Sequence, residues 1–303
     1  MSRRTVLTVS FAAALAACGG AQEAPPPAAN PAPAAEIEAA TGEVVATAED
    51  VAIFDSTVVW ARQQRLDTLA TGPLMAALGR RFVGAPYEPG TLDPPGPERL
   101  IVNLRSFDCV TYIESMLAMA RVLRAGNATF DAFTRELSRI RYTADVPPDY
   151  PTRLHYFSHW IEANEGKGLV ENVTRALGGV PDPEPIDFMS SHVESYRQLG
   201  DSMFLARIRQ TERDLTARGR FSIPEDGIAG VADEIRDGDI IAATSTLPGL
   251  DVAHTGLALW VDSELHLMHA PLVGSVVEIS DQPLAARIQR IESQDGIMIA
   301  RPR

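Results

Sequence analysis

Cys109 follows Asp108, a residue with helix N-cap chemistry, and would be the first residue of a helix. Val110, Ile113, Leu117, Ala120 and Leu123 recur behind it at helical spacing and give that helix one apolar face. A thiol at a helix start meets backbone N–H groups that have no intrahelical partner, and the positive end of the helix. Both favour the thiolate, the nucleophilic form. Such a nucleophile needs a base, and His254 and His269 are the candidates: one to deprotonate Cys109, the other to orient the first ring and hold its useful tautomer.

The two histidines sit on predicted strands. Residues 255–260 and 264–270 read as consecutive strands, and Val261-Asp262-Ser263-Glu264 would turn the chain between them. A hairpin centred there places residue 269 opposite residue 256, within reach of position 254, so two imidazoles could meet at one end of a sheet. His266 competes with His269. It lies twelve residues after His254, and its offset of three from His269 puts the two on opposite faces of a regular strand. Both partners could instead be ordinary polar residues at strand ends, since spacing does not show contact. A metal site is the chemical rival, because Cys109, His254, His266 and His269 are all zinc-capable and His155 and His159 are four apart, as on one helix face. There is no His-Glu-x-x-His, no paired-cysteine motif, no phosphate-binding glycine loop and no dinucleotide fingerprint, so no metal or cofactor is expected.

The elements that must position these residues fall into two halves. Helices are predicted over residues 51–61, 65–78, 127–137, 188–198 and 202–217, besides the cysteine helix, and short strands over 238–243, 255–260, 264–270, 275–279 and 296–300. Helices followed by strands joined by turns predict an α+β fold with an antiparallel sheet. Residues 153–164 mix rings, imidazoles and a guanidinium, a composition that suits a pocket wall.

The start of the chain reads as an address. Arg3 and Arg4 precede an apolar stretch too short to span a bilayer, and Leu15-Ala16-Ala17-Cys18 resembles a bacterial lipobox in which Cys18 is lipidated. Gly19 after that cysteine resembles lipoproteins passed on to the outer membrane of Gram-negative bacteria. Residues 19–48, rich in Ala and Pro, read as a disordered tether. The expected organisation is therefore a signal over 1–18, a tether over 19–48 and one folded domain over 49–303. A net charge of −13 is wrong for a general nucleic-acid binder and disfavours adsorption to anionic lipid, so membrane attachment would rest on the anchor alone. With Cys18 lipidated, Cys109 has no disulfide partner in an oxidising compartment, and lacks the second cysteine of a thioredoxin-like redox pair.

Taken together, these residues carry a family pattern. The chain resembles the NlpC/P60 superfamily of papain-like cell-wall cysteine hydrolases, and within it the DUF1460 family. The matching pieces are Phe82-Val83-Gly84-Ala85-Pro86-Tyr87, Phe107-Asp108-Cys109-Val110-Thr111-Tyr112-Ile113-Glu114, Arg153-Leu154-His155-Tyr156-Phe157-Ser158-His159-Trp160, Gly238-Asp239-Ile240-Ile241, Leu250-Asp251-Val252-Ala253-His254-Thr255-Gly256 and Leu267-Met268-His269-Ala270. They cover roughly residues 80–300.

The resemblance implies a papain-like core with helical insertions, the cysteine helix packed on an antiparallel sheet. It implies Cys109 as nucleophile, His254 as base and His269, through the His-Ala block, as third residue; Pro271 departs from the serine more usual there. It implies cleavage of the N-acetylmuramoyl-L-alanine amide bond in peptidoglycan fragments, including anhydro-muropeptides. A sister branch cuts the γ-D-glutamyl bond to a diamino acid, and a peptidoglycan-binding lipoprotein without catalysis is a third reading. Arg153 would grip a carboxylate or lactyl oxygen of the substrate, Tyr87, Tyr156 and Trp160 would stack on sugar or peptide, and His155 would complete that wall. Oxyanion donors would be the Cys109 N–H and Asn103. The expected place of action is the periplasm, lipid-anchored to the outer membrane.

Overall fold

The computed structural model describes residues 44–143 and 149–303. The expected export signal, with Cys18, and the expected tether up to residue 43 lie outside the described residues. The helices are α1 (Ala48–Gln63), α2 (Thr71–Arg81), α3 (Cys109–Arg124), α4 (Phe130–Arg141), α5 (Phe157–Gly166), α6 (Phe188–Ser191), α7 (Ser202–Arg218), α8 (Ile228–Val231) and α9 (Leu284–Arg290). The strands are β1 (Val44–Val45), β2 (Leu100–Ile101), β3 (Val170–Asn172), β4 (Val180–Asp182), β5 (Arg220–Pro224), β6 (Ile240–Ser245), β7 (Val252–Val261), β8 (Glu264–His269), β9 (Glu278–Ile279) and β10 (Gln294–Pro302). Among the described residues no helix is long and apolar enough to cross a membrane.

The main sheet runs β4-β5-β10-β6-β7-β8-β9, antiparallel throughout, with β3 also paired to β10. Side chains alternate across β7. Leu257 and Leu259 join the core shared with α2 and α3, whereas Ala258 packs with Leu284 and Ile288 of α9 on the other face. The sheet is therefore sandwiched between helices and the site sits at one of its ends. The order is less simple than helices first and strands after. β3, β4 and β5 precede the meander, and α9 interrupts it, because elements of three to seven residues carry too little periodicity to be read.

Two features position the site. The first is the entry to α3. β1 pairs in parallel with β2, and Val44 and Ala46 are buried, so the folded body begins before the predicted end of the tether at residue 48. Those residues are apolar enough to be held by a core, unlike the Pro-rich stretch before them. Thr47 then caps α1 in a reciprocal box with Asp50, and the second oxygen of Asp50 accepts from Leu104 N at 2.8 Å, five residues before Cys109. The second is the β7–β8 hairpin. Asp262 and Ser263 both have positive φ, the two-residue turn that matches strand twist. It sets the register Leu257↔Met268, which brings Gly256 opposite His269. Gly256 also needs to be glycine, since a Cβ there would meet the Leu267 side chain at 2.7 Å.

Candidate active site

Cys109 is the first residue of α3, and Asp108 is its N-cap. The Asp108 carboxylate accepts from Val110 N (3.0 Å), Thr111 N (2.7 Å) and Thr111 Oγ1 (2.9 Å), which satisfies donors at the helix start and fixes the turn that presents the cysteine. Burial, and next the Cys109 charge beside it, pushes the Asp108 carboxyl up to about 7. Cys109 itself is buried, and its carbonyl accepts a 2.8 Å hydrogen bond from Thr255 Oγ1. That bond ties the start of α3 to the residue next to His254.

His254 enters β7 beside a bulge. Ala243 pairs with His254 and Thr244 with Val252, so Ala253 is the extra residue and the strand is re-aimed immediately before the histidine. His254 Nε2 lies 2.8 Å from His269 Nδ1, the rings nearly perpendicular at 86°. Only one His254 nitrogen, Nδ1, is left for a thiol. Burial, then the charges of His254 and Arg287, pushes His269 down to about 2, so this ring stays neutral. His266 is engaged elsewhere, its Nδ1 2.8 Å from the Ser280 carbonyl. Asp251 holds the beginning of β7 in place. Its carboxylate accepts from Ser158 N in the first turn of α5 (2.7 Å) and from Val252 N (2.8 Å). Sequence reasoning missed both Thr255 and Asp251 as supports, although each lies in the block that contains His254.

A cleft opens beside Asp108 and Val110, with Leu92, Tyr150, Leu154 and His155 on its other walls. It shares Leu92 and Tyr150 with a neighbouring cavity of about 240 Å³ that Pro97, Gln198 and Phe204 help to line. His155 thus belongs to the cleft, with Nε2 2.7 Å from the Tyr150 carbonyl, and burial pushes its pKa down to about 3. It does not share a helix face with His159, since α5 begins at Phe157. Tyr87 is half-buried and bridges to Phe107 just before the N-cap. Among the described residues no group of three or more His, Cys, Asp or Glu side chains is placed to hold a metal ion.

Of the other expected substrate contacts, Tyr156 and Trp160 point inward, whereas Arg153 lines the cleft with its guanidinium largely engaged by the protein. Arg153 is 7% exposed, and its guanidinium is taken by Asp93, by the Leu92 carbonyl (2.9 Å) and by Glu98, whose carboxylate lies 3.6 Å from Nε. Asp93 and the Leu92 carbonyl thus take its two terminal nitrogens, while Nε makes no hydrogen bond among the described residues. Tyr156 donates to Glu212 (2.7 Å) and accepts from Met189 N (2.9 Å), inside a cluster with α6 and α7. Trp160 is fully buried, stacked on Phe157 and donating to Glu114 (3.3 Å), which also pairs with buried Arg141 at 2.7 Å. Asn103 spends its amide on Ser106 (2.7 Å) and Glu88 (3.2 Å), while its oxygen accepts from Arg105 N and Ser106 N. It shapes the turn before α3 and has no spare donor for an oxyanion.

Residues 77–297 match the family described as AmiA-like, N-acetylmuramoyl-L-alanine amidase-like. An N-acetylmuramoyl-L-alanine amidase from Bacteroides uniformis is similar over 77% of this chain and 99% of its own, at 33% identity and a TM-score of 0.73. A Bacteroides fragilis protein provisionally described as a xylanase is similar over 74% of this chain and 98% of its own, at 35% identity and a TM-score of 0.70. A Legionella pneumophila protein described as DUF1460 shares the fold at 18% identity, with 83% and 94% coverage and a TM-score of 0.61. No curated protein matches the chain.

Proposed function

The chain belongs to the AmiA-like, N-acetylmuramoyl-L-alanine amidase-like family, and on that premise we propose that it hydrolyses the amide bond between the muramoyl lactyl group and L-alanine in peptidoglycan fragments, with Cys109 as the nucleophile. The observation that carries this reading is the 2.8 Å pair of His254 on β7 and His269 on β8, with Thr255, next to His254, hydrogen-bonded to the Cys109 carbonyl. A thiol with two imidazoles suits acyl transfer. A xylanase would need two free carboxyl groups flanking the scissile bond, and the acids that line the cleft are engaged within the protein: Asp93 with Arg153, Asp108 with the N–H groups of the α3 start, and Glu114 with Arg141.

In the proposed cycle His254 Nδ1 takes the Cys109 proton and the thiolate attacks the lactyl carbonyl. The tetrahedral oxyanion draws on the Cys109 N–H at the positive end of α3. Imidazolium His254 returns the proton to the leaving alanine nitrogen, which departs with the stem peptide. Water, deprotonated by His254, then attacks the thioester, and collapse releases the muramic acid carboxyl and restores the thiol. His269 holds the His254 ring throughout. The helix-borne cysteine opposite a histidine on an antiparallel sheet supports placement in the papain-like NlpC/P60 superfamily. Anhydro-muropeptides from wall turnover are the proposed preferred fragments, and the Arg3-Arg4 and Leu15–Cys18 patterns support delivery to the periplasm by lipidation at Cys18.

Product mass analysis tests the reaction. Residues 40–303 are incubated with a muramoyl tetrapeptide and its anhydro form beside a Cys109→Ala control. Free sugar and intact peptide, absent in the control, are expected. A cut after γ-D-glutamate would assign the endopeptidase reaction instead, and no product from either substrate or from sacculi would overturn the enzymatic reading.

A further inference from the structure

A Cys–His–His arrangement raises a proton problem that Cys–His–Asn does not. When His254 holds the thiol proton it is an imidazolium and both its nitrogens are donors, so Nε2–H must donate to His269 Nδ1 across the 2.8 Å contact. A neutral His269 then carries its one proton on Nε2. If the proton sat on Nδ1, two N–H groups would face each other and the imidazolium would be disfavoured. Catalysis by His254 therefore depends on the tautomer of His269, and something must select it.

His269 Nε2 is buried and has no hydrogen-bond partner among the described residues. The acid that faces it is Glu278, directly opposite His269 in the β8–β9 ladder, with Oε1 3.8 Å from Nε2. The Glu278 side chain is 42% exposed, and Gly274 leaves room for its other oxygen, which a Cβ there would meet at 3.0 Å. The charged or titratable groups that act on His269 are His254 from β7, Glu278 from β9 and Arg287 from α9, and the Arg287 charge is felt by Glu278 as well.

We infer that Glu278 is a positioning residue, which accepts the Nε2 proton of His269 and so keeps His269 Nδ1 an acceptor for His254. The geometry is one step from closed. A separation of 3.8 Å is beyond hydrogen-bond length, and it shortens as the His254 imidazolium forms and polarises the chain. Glu278 touches no substrate and acts only through the two imidazoles. This inference rests on the amide-hydrolase reading of the site, but its spectroscopic test does not.

The experiment compares wild type, E278Q and E278L, folded by circular dichroism, in two measurements. Histidine-selective ¹⁵N spectra report the tautomer of His269, and initial rates on the muramoyl tetrapeptide give kcat and KM separately. Wild type is expected to hold His269 as the Nε2–H tautomer. E278L should lose that preference and lower kcat about tenfold with KM within twofold, whereas E278Q, which keeps an oxygen acceptor, should recover most of both. Should E278L not fold, E278Q carries the test with a smaller loss of about threefold in kcat and a measurable tautomer change. Unchanged His269 spectra and kcat in the folded variants would overturn the inference. A wild type that shows the tautomer but turns over nothing would instead overturn the assigned reaction and leave Glu278 in its role.

Discussion

The β7–β8 hairpin and the stretch from 153 to 160 are both dense in residues able to act on a substrate, and they meet opposite fates. In the hairpin, two imidazoles bond to each other, and His254 keeps part of its surface in the open. In the other stretch Arg153, Tyr156 and Trp160 are at most 7% exposed, and each is answered by an internal carboxylate: Asp93 and Glu98, Glu212, and Glu114. A buried polar group must be paired within the protein, and once paired it holds structure instead of ligand. Residue type therefore does not separate site from scaffold; the partners do.

This contrast can be broken or sharpened by substitution. The largest effect is expected at the proposed nucleophile, Cys109. Cys109→Ala should cut turnover on the order of 10⁴-fold or more while changing unfolding free energy by no more than about 1 kcal/mol. Retained turnover would remove Cys109 from the reaction. In the other region the pattern should invert. Trp160→Ala should cost about 3–5 kcal/mol in denaturant unfolding, and Arg153→Ala a similar amount because Asp93 and Glu98 are left facing each other. If either variant keeps its stability but raises KM tenfold, that residue is a substrate contact after all.

A third expectation concerns pH. The pKa of His269 is held well below its unfolded value near 6.5, so below that pH the unfolded chain binds a proton that the native ring refuses. The contribution of this site to stability is then full above about pH 6.5 and falls as the pH drops toward the native value of about 2. Between pH 6.5 and 4, wild type should lose about 1.4 kcal/mol per pH unit relative to His269→Asn in matched unfolding curves. Parallel curves for the two proteins would contradict a buried neutral His269. The smallest effect is at Asn103. Asn103→Ala should cost about 1 kcal/mol through its lost turn and leave kcat within twofold. A tenfold fall in kcat at unchanged stability would return Asn103 to the oxyanion site.

What could be read from the chain alone follows the same division. The helix opened by Cys109 was legible because its cap and its apolar spacing are local, and so was the pairing of residue 256 with 269, because a two-residue turn leaves the register no freedom. That register also separates His269 from His266, whose ring goes to Ser280. The fate of Arg153 and Trp160 was not legible. Glu98 and Glu114 lie 55 and 46 residues away from them in sequence, and no spacing rule links such pairs. The core of residues 153–160 looked like a wall because its polar atoms were counted without their acids.

The bond between Thr255 Oγ1 and the Cys109 carbonyl spans 146 residues, whereas the two imidazoles are 15 apart within one hairpin. Hairpins of this kind close in about 1–10 μs, while contacts across such a separation wait for the topology to be assembled. The histidine pair can thus exist early in folding, and the proposed nucleophile joins it only when the two halves of the chain dock. A chain still being synthesised carries the thiol and the two imidazoles but not the site they form together. Recovery of turnover after dilution from denaturant is accordingly expected to lag behind the return of strand signal, and to keep pace with the burial of Trp160.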